Sequence, residues 1–510
     1  METEILIVGA GFAGLGMGIQ LKQAGVDNFL ILEQSAGVGG TWYDNRYPGA
    51  ACDVPSHLYS YSFEKNPSWS RAYADQSEIL AYLEHCADKY GVRPHIRFRR
   101  KVVGARFDEG RGLWSVQTED GRTYTTRALI TGCGALSKPS YPQIPGLSSF
   151  QGTLFHTARW RKDVSLDGKR VGVIGTGASA VQVVPSIVDK VAKLSVFQRT
   201  PGWVLPKRDR AFSAEERQRF AKRPWLQTWM RRLLYWQLEA IVPALVKDGG
   251  LGRRLGALIE RESARHLEAC VPDATLRAKL MPSYRLGCKR ILLSNDYYAA
   301  LQRSNAQLVT SGIRAVTANG ITTADGVEHA LDAIVLATGF QAAEAIAPFA
   351  VRGRGGRELA DQWREGGAES YLGTTNHGFP NLFMIVGPNT LLGHSSVVFM
   401  LEAQIAYVLD AVRALRTRSL KSVEVQKSVQ EGYNRKLHAR LAKTVWSTGG
   451  CASWYRTRTG KITTLWPGFT FEFKLRTRRF DAHNYLLEPL PVRETVPRVS
   501  PRVVRPGVLS

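Results

Sequence analysis

Two short glycine-rich turns constrain the fold of this chain more than any other feature of its 510 residues. The first, GAGFAG at residues 9–14, directly follows the apolar stretch Ile5–Val8 and precedes a segment with helical periodicity. The second, GTGASA at residues 175–180, follows Arg170–Ile174. A strand, a glycine-rich turn and a helix in this order open a βαβ unit that binds a dinucleotide. The pair of turns predicts an α/β fold with two dinucleotide-binding, Rossmann-like domains.

The residues of each turn have separate physical tasks. In the first turn, Gly9 permits the tight bend, Gly11 lets the backbone approach a pyrophosphate, and Gly14 lets helix and strand pack closely. The free N–H groups at the helix N-terminus then face the phosphates. The candidate binding residues are Gly9, Gly11, Ala13 and Gly14 in the first turn, and Gly175, Thr176, Gly177, Ala178, Ser179 and Ala180 in the second.

The ends of the two following strands distinguish the two sites. Glu33 stands 24 residues after Gly9, and Arg199 stands 24 residues after Gly175. A carboxylate there accepts hydrogen bonds from ribose hydroxyls and repels a 2′-phosphate, whereas a guanidinium binds that phosphate. The first site therefore suits FAD or NAD, and the second suits NADP. The alternative for Arg199 is a surface arginine at a strand end.

The order of these signals predicts how the chain is divided. We expect a discontinuous FAD-binding domain formed by residues 1–135 and 336–487. An NADP-binding domain spans residues 136–335, with a helical insertion at about 210–287. From Glu488 onward the sequence has five prolines and no periodicity, which predicts a disordered basic tail over residues 488–510.

Charge and cysteine content narrow the classes of partner and the cellular compartment that the sequence allows. The net charge of +24 could serve nucleic acid, a membrane surface or anionic cofactors, or reflect solvated helix faces with a basic tail. No nucleic-acid motif accompanies the charge, so we expect no nucleic-acid partner. The six cysteines form no Cys-x-x-Cys pair, which predicts no metal site and reduced thiols. Without a secretory signal at the N-terminus, these features together predict a cytoplasmic protein.

Two further motifs carry a family resemblance. These are GGTWYDNRYPGAACD at residues 39–53 and FQGTLFHTARW at residues 150–160. Both resemble the type I Baeyer–Villiger monooxygenases, which carry FAD and use NADPH, and the resemblance covers about Glu4 to Tyr485. One residue departs from the family pattern, because Arg161 follows Trp160 where the family usually has Pro or Asp. A basic residue there is more like the flavin-containing monooxygenases that oxidise nitrogen and sulfur.

The resemblance also implies roles for individual residues. It implies an active-site arginine at Arg290 and a contact of Lys289 with the NADP 2′-phosphate, alongside Arg199 and Thr200. The FAD contacts that it implies are Thr41, Trp42, Asp53, Tyr59 and Val102.

The expected chemistry explains why such a site needs a cation and a carboxylate. A reduced flavin and O2 give a flavin C4a-peroxide, which attacks a ketone as an anion and oxidises sulfides or amines when protonated. A fixed cation is needed to hold the anion, and a carboxylate to position that cation. Arg290 and Asp53 are the candidate catalytic residues; the alternatives are a structural ion pair for Arg290 and a turn residue for Asp53. His156 is expected to hold domain geometry.

The segment 225–246, WLQTWMRRLLYWQLEAIVPALV, is apolar but interrupted by charges, so it is a poor membrane span. Trp225, Trp229, Leu233 and Trp236 share one helical face. The favoured interpretation is a helix packed over the active site at the substrate entrance. The alternative is an interfacial helix with basic flanks that makes weak peripheral contact with a membrane.

Together these features predict an NADPH-consuming, FAD-dependent monooxygenase. We expect it to insert one oxygen atom of O2 beside the carbonyl of a small-molecule ketone, giving an ester or lactone. The alternatives are an N- or S-oxygenase acting on amines or sulfides, and a non-enzymatic nucleotide-binding redox sensor. A sensor has no need of Asp53 with Arg290, and a disulfide reductase would need paired cysteines.

Overall fold

The computed structural model describes residues 1–246, 249–342, 347–457 and 459–490. The strands are β1 Glu2–Val8, β2 Phe29–Leu32, β3 Ile96–Arg97, β4 Val102–Asp108, β5 Leu113–Thr118, β6 Thr123–Thr131, β7 Thr153–His156, β8 Arg170–Ile174, β9 Lys193–Phe197, β10 Val204–Leu205, β11 Leu292–Leu293, β12 Ala306–Val309, β13 Ile313–Thr317, β14 Gly320–Thr323, β15 Glu328–Ala330, β16 Ala333–Leu336, β17 Ala350–Arg352, β18 Leu382–Met384, β19 Leu420–Val425 and β20 Tyr485–Pro489.

The helices are α1 Phe12–Gln23, α2 Thr41–Asp44, α3 Gln76–Lys89, α4 Ala180–Ile187, α5 Ala214–Lys222, α6 Pro224–Glu239, α7 Val242–Val246, α8 Gly250–Cys270, α9 Ala274–Leu280, α10 Tyr297–Ala300, α11 Leu359–Gly366, α12 Val397–Thr417, α13 Lys427–Leu441, α14 Val445–Thr448 and α15 Thr470–Arg476. None of these described helices is long and apolar enough to cross a membrane.

The first sheet is built around β1, which has parallel neighbours on both sides. Its strand order is β17-β4-β5-β6-β1-β2-β3, and β18 also pairs with β6. The second half of β1, Ile5–Val8, is apolar because both of its faces are covered. Ile5 and Ile7 join the core formed with α1 and α12, whereas Leu6 and Val8 pack towards strands β4 to β6. Strands β4, β5 and β6 form an antiparallel meander.

The second sheet is parallel throughout, with strand order β12-β9-β8-β16-β7. Its opening β8–turn–α4–β9 repeats the β1–turn–α1–β2 arrangement of the first sheet. Both predicted βαβ openings are therefore confirmed, and so is the α/β fold with two Rossmann-like units. Helices α5 to α9 form the helical insertion between β10 and β11. The domain boundaries given above stay a prediction.

The expectation of disorder from residue 488 onward is wrong at its beginning. Glu488 and Pro489 belong to β20, which pairs antiparallel with β19. The Glu488 carboxylate forms ion pairs with Lys421 at 3.0 Å and Arg354 at 3.1 Å. Pro489 is tolerated because it ends the strand at a sheet edge. Residues 491–510 lie outside the described residues.

The first glycine-rich turn has almost no free space behind it. Gly9 has a φ of +102°, which is a conformation that favours glycine. A methyl group on Gly14 would stand 1.8 Å from the carbonyl oxygen of Gly9. Close contact between the start of α1 and the end of β1 therefore requires glycine at position 14.

We expect Gly14→Ala to lower the free energy of unfolding by about 1–3 kcal/mol, because the added methyl group displaces the turn. Urea unfolding followed by circular dichroism measures the change. Gly256→Ala is the matched control, since it adds the same methyl group inside α8 with nothing within 4 Å of it. We expect the control to gain about 0.5–1 kcal/mol, the usual advantage of alanine over glycine in a helix. Equal unfolding midpoints for Gly14→Ala and the wild type would contradict this account of the turn.

Candidate active site

A cleft of about 410 Å³ opens where β1, β2 and β6 end. The first glycine-rich turn forms one wall of the cleft, and Leu391, Val397 and Leu401 contribute to another. Eight of the residues predicted to contact FAD line it: Gly9, Gly11, Ala13, Glu33, Thr41, Trp42, Tyr59 and Val102. Gly14 lies behind the turn, and Asp53 is not among the lining residues.

The carboxylate of Glu33 is held against the glycine-rich turn. Its Oε2 accepts a hydrogen bond from the backbone N–H of Ala10 at 2.7 Å, and its Oε1 accepts one from the N–H of Ser35 at 2.7 Å. Burial raises the pKa of Glu33, and these two hydrogen bonds act against that rise. Each carboxylate oxygen retains a second lone pair, so the group can still accept from ribose hydroxyls in the cleft.

One continuous segment, residues 39–53, reaches from the cleft to α4. Thr41 and Trp42 face the cleft, and the Trp42 indole N–H donates to the Tyr59 hydroxyl at 3.1 Å. Tyr47 donates its hydroxyl hydrogen to the Gln182 Oε1 at 2.8 Å, which ties the middle of the segment to α4. This arrangement explains physically why Trp, Tyr and Gly stand together in the motif.

Gly49 brings the segment against α4 without space for a side chain. A methyl group there would stand 2.6 Å from the Gln182 carbonyl oxygen, and the Gly49 φ is +79°. The Gln182 side chain also donates to the Ala51 carbonyl at 2.9 Å. The two dinucleotide-binding units are therefore fastened together immediately before Asp53.

Asp53 and Arg290 form a two-pronged ion pair. Arg290 Nε donates to Asp53 Oδ2 at 2.7 Å, and Nη2 donates to Oδ1 at 2.8 Å. The side chains retain 27% and 31% exposure respectively, so the pair is partly accessible. Arg290 comes from the end of the helical insertion, 237 residues after Asp53. Planar guanidinium and carboxylate groups in this geometry fix each other's orientation, and each favours the ionised form of the other.

The electrostatics keep both members of this pair ionised. Burial acts to raise the pKa of Asp53, but the charge of Arg290 and its hydrogen bonds, with smaller contributions from a backbone hydrogen bond and from Lys207, together hold that pKa below its usual value. The Asp53 charge in turn raises the pKa of Arg290, although burial opposes it. The guanidinium is consequently a permanent cation throughout the neutral pH range.

The pair stands beside the cleft and beneath the C-terminal segment. Arg290 Nη1 makes a long hydrogen bond of 3.4 Å with the Leu392 carbonyl, and the preceding Leu391 lines the cleft. The buried Tyr455 hydroxyl lies within electrostatic reach of Arg290; burial raises the pKa of Tyr455 to about 12, and the Arg290 charge opposes that rise. These neighbours provide an environment in which a fixed charge is only partly screened.

The prediction that all six cysteines are reduced is wrong for one pair. Cys288 and Cys451 form a disulfide that joins the chain two residues before Arg290 to the C-terminal segment. The four remaining cysteines, Cys52, Cys86, Cys133 and Cys270, are free. Sequence spacing gave no sign of the disulfide, because 163 residues separate two cysteines whose Cα atoms are 6.1 Å apart. The cytoplasmic location stays a prediction.

The second glycine-rich turn has two cations near it. Gly175 has a φ of +111°, and the Thr176 hydroxyl donates to the Thr200 carbonyl at 3.1 Å. Arg199 is exposed at the end of β9, while Lys289 is half-buried with its Nζ 4.9 Å from the centre of the Tyr284 ring. Burial, and then the charge of Arg199, lower the pKa of Lys289. Two cations close enough to repel each other suit a dianionic ligand between them.

The second motif packs between the two units, and Arg161 lies outside it. Phe155 and Trp160 meet edge to face at 4.9 Å, and Arg159 pairs with Asp44 at 3.3 Å. His156 is fully buried, and its Nδ1 accepts from the Ala158 N–H at 3.1 Å. Arg161 is half exposed, pairs with Asp163 and is not among the residues lining the cleft.

Sequence reasoning missed several residues that complete this site. Gln182 binds the residue 39–53 segment, the Leu392 carbonyl contacts Arg290, and Tyr455 lies within electrostatic reach of Arg290. Gln182 directly follows the second glycine-rich turn on α4, so its position could have suggested a contact. The other two meet Arg290 only through the tertiary fold. No cluster of metal-ligating side chains occurs within the described parts of the chain.

Comparison with known proteins agrees with this geometry. Residues 6–223 match the family described as pyridine nucleotide-disulphide oxidoreductase. The chain is 49% identical to a Baeyer–Villiger monooxygenase of Pseudomonas aeruginosa, over 96% of this chain and 92% of that protein. It is 45% identical to a Baeyer–Villiger monooxygenase of Streptomyces coelicolor, over 96% of this chain and 94% of that one.

Solved structures agree in fold as well. The crystal structure of cyclohexanone monooxygenase from Rhodococcus sp. Phi1 bound to NADP+ superposes with a TM-score of 0.86 at 28% identity, covering 96% of this chain and 100% of that one. The crystal structure of OTEMO in complex with FAD and NADP gives a TM-score of 0.83 at 28% identity, covering 95% and 99%. With close to half its residues shared with the two relatives over nearly the whole length, the chain belongs to the Baeyer–Villiger monooxygenases.

Proposed function

We propose that this chain is an FAD-dependent, NADPH-consuming monooxygenase that inserts one oxygen atom of O2 beside a ketone carbonyl. The product is an ester or a lactone. The observation that carries the proposal is the ion pair of Asp53 with Arg290 at the border of the cleft. Relatives named Baeyer–Villiger monooxygenases at 49% and 45% identity support the same reaction.

The cleft has the features that FAD requires. Its glycine-rich turn exposes the N-terminus of α1, where free N–H groups attract a pyrophosphate. Glu33 would accept from the ribose, and Thr41, Trp42 and Tyr59 line the wall. When bound, FAD supplies the reduced flavin that reacts with O2, and NADPH supplies the hydride. The protein's own residues have to bind both cofactors, exclude water and control charge.

Arg290 is proposed to stabilise negative charge during oxygen insertion. When a nucleophile adds to a ketone, negative charge develops on the carbonyl oxygen. Two N–H groups of Arg290 are used by Asp53, and its Nη1 makes a long bond of 3.4 Å to the Leu392 carbonyl. The guanidinium can therefore direct further N–H donors towards a developing oxyanion. Such donors make a large contribution to transition-state stabilisation in a site with restricted water.

Asp53 is proposed to position this guanidinium rather than to transfer a proton. Its low pKa keeps the carboxylate ionised, and the two hydrogen bonds prevent rotation of the arginine head group. The carboxylate also compensates part of the arginine charge when no substrate is present. This division makes Arg290 the catalytic residue and Asp53 the residue that orients it.

Sulfides and amines are the alternative substrates. Oxidation of their heteroatom does not create an oxyanion, so it does not need a fixed cation such as Arg290. Arg161, which suggested them from the sequence, pairs with Asp163 at the surface. That position weakens the argument for heteroatom oxidation. Dithiol chemistry is also disfavoured, because neither cysteine of the disulfide lines the cleft.

Product analysis with purified holoenzyme tests the proposed reaction. We expect esters or lactones from a panel of cyclic and linear ketones, each carrying one ¹⁸O atom when the gas phase is ¹⁸O2. The control uses ¹⁶O2 in H2¹⁸O, where exchange into the ketone is measured separately and subtracted. Sulfoxides from added thioethers, with no ester from any ketone, would instead support the heteroatom oxygenase.

The position of Arg199 near the second glycine-rich turn predicts that it selects NADPH over NADH. Loss of a charged hydrogen bond costs about 1.5–3 kcal/mol, so Arg199→Ala should weaken NADPH binding by roughly 10- to 150-fold. NADH has no 2′-phosphate, so its use should hardly change. Stopped-flow flavin reduction at varied cofactor concentration measures both. Arg161→Ala, which removes an exposed arginine held by Asp163, is the control and should leave both cofactors unaffected. Equal weakening of NADPH and NADH by Arg199→Ala would show that Arg199 does not contact the phosphate.

A further inference from the structure

Helix α6 directs its large apolar side chains towards solvent. Trp225 is 63% exposed, Trp229 55%, Leu233 38% and Trp236 58%. Spacings of four, four and three residues place all four on one face of the helix. These four side chains are therefore not packed against the protein, and the position of α6 over the substrate entrance stays a prediction.

The inward side of α6 is fixed to the protein by both apolar and polar contacts. Leu234, Tyr235 and Leu238 pack against the core that includes α1 and α12. Gln227 Nε2 lies 3.2 Å from His57 Nδ1, and Arg231 donates to the carbonyls of His57 and Leu58 at 3.1 Å each. Glu239 is buried and accepts hydrogen bonds from the Thr470 hydroxyl at 2.8 Å and from the Thr470 N–H at 3.0 Å. A surface helix usually carries apolar side chains only on the side that faces the core, whereas α6 carries them on its exposed side as well.

The apolar surface extends beyond this helix. The Trp236 ring lies 6.1 Å from the ring of Phe471 on α15, and Phe471 is itself 37% exposed. Because polar anchors fix α6, these aromatic rings cannot turn inward without breaking buried hydrogen bonds. We call the exposed side chains of Trp225, Trp229, Leu233, Trp236 and Phe471 the aromatic face. A contiguous exposed patch of this kind marks an interaction surface.

Cations surround the aromatic face. Lys222 and Arg223 precede α6, Arg232 projects from the exposed side of α6, and Lys474 projects from α15. Within the described ranges Lys222, Arg223 and Arg232 have no carboxylate partner. Lys474 lies over the Phe399 ring, 5.3 Å from its centre, and its charge reaches Glu402. The carboxylate of Glu239 is buried and that of Glu472 is paired with Arg440 at 2.7 Å, so neither compensates them. The surface thus combines exposed tryptophans with uncompensated positive charge.

We propose that the aromatic face docks on an anionic phospholipid surface. Tryptophan rings favour the boundary between headgroups and acyl chains, and lysine and arginine near that boundary are attracted by anionic headgroups. A helix lying in the surface plane needs only the exposed apolar face and basic flanks found on α6. The partner chemistry follows from charge complementarity between these cations and the lipid phosphates.

A second copy of the chain fits this surface less well. Most dimers have two-fold symmetry, which would bring the same patch, with Arg223 and Arg232, against itself. Opposed like charges are unfavourable in an interface. The C-terminal sequence 491–510 is also basic, with four arginines and one glutamate, so its charge does not complement the patch. An anionic lipid surface complements both the apolar side chains of the aromatic face and the positive charge around it.

Co-sedimentation of the holoenzyme with sucrose-loaded vesicles tests this proposal. We expect binding to vesicles of equal parts phosphatidylglycerol and phosphatidylcholine, little binding to phosphatidylcholine alone, and release by high salt. Arg223→Glu with Arg232→Glu should weaken binding about tenfold or more, because each cation near such a surface contributes roughly 1 kcal/mol. Trp225→Ser with Trp229→Ser should weaken it to a similar extent, through loss of apolar insertion.

Matched controls separate docking from general surface effects. Val327→Ser removes an exposed apolar side chain from the turn between β14 and β15, and Arg111→Glu reverses an exposed cation between β4 and β5. Both should bind vesicles as the wild type does, and flavin content should be unchanged in every variant. Absence of wild-type binding, equal binding to both lipid mixtures, or unchanged binding by the α6 variants would overturn the proposal. A concentration-dependent dimer in light scattering that only the α6 variants lose, without vesicle binding, would assign the face to self-association instead.

Discussion

The bidentate ion pair between Asp53 and Arg290 is the interaction on which the proposed function depends most directly. It connects the end of the residue 39–53 segment, which lines the first cleft, with the end of the helical insertion. A buried or half-buried arginine needs a partner, and the carboxylate both stabilises its charge and fixes its direction. The same contact therefore serves the packing of the two units and the proposed control of charge during oxygen insertion.

Several neighbouring features keep this pair in place. Gly49 allows the segment to pack against α4, and Gln182 binds it through Tyr47 and Ala51. On the other side, the disulfide of Cys288 holds the chain that leads into Arg290 against the C-terminal segment. A site that acts through fixed charges requires a fixed geometry. Contacts with several elements maintain the geometry of this pair, which a loop alone would not do.

The sequence predicted those features that depend on local order along the chain. Gly9, Gly14 and Glu33 stand at fixed spacings within one βαβ unit, so their positions followed from the motif. The ion pair, by contrast, was anticipated only through a family resemblance, since its members are 237 residues apart. The disulfide was mispredicted, and the sequence did not decide which way the aromatic face of α6 points. Periodicity shows which residues share a helical face, but tertiary contacts, such as the hydrogen bonds of Gln227 and Glu239, decide where that face points.

The most direct test of the central claim is the amount of ester formed per NADPH oxidised, in wild type, Arg290→Ala, Asp53→Ala and the double variant. We expect Arg290→Ala to retain FAD and consume NADPH, while ketone oxygenation falls about 10²–10³-fold and oxygen leaves as hydrogen peroxide. The double variant should lose less than the two single losses combined, because the residues act as one unit. Wild-type ester yield and rate in Arg290→Ala, with normal flavin content, would contradict the role assigned to this arginine.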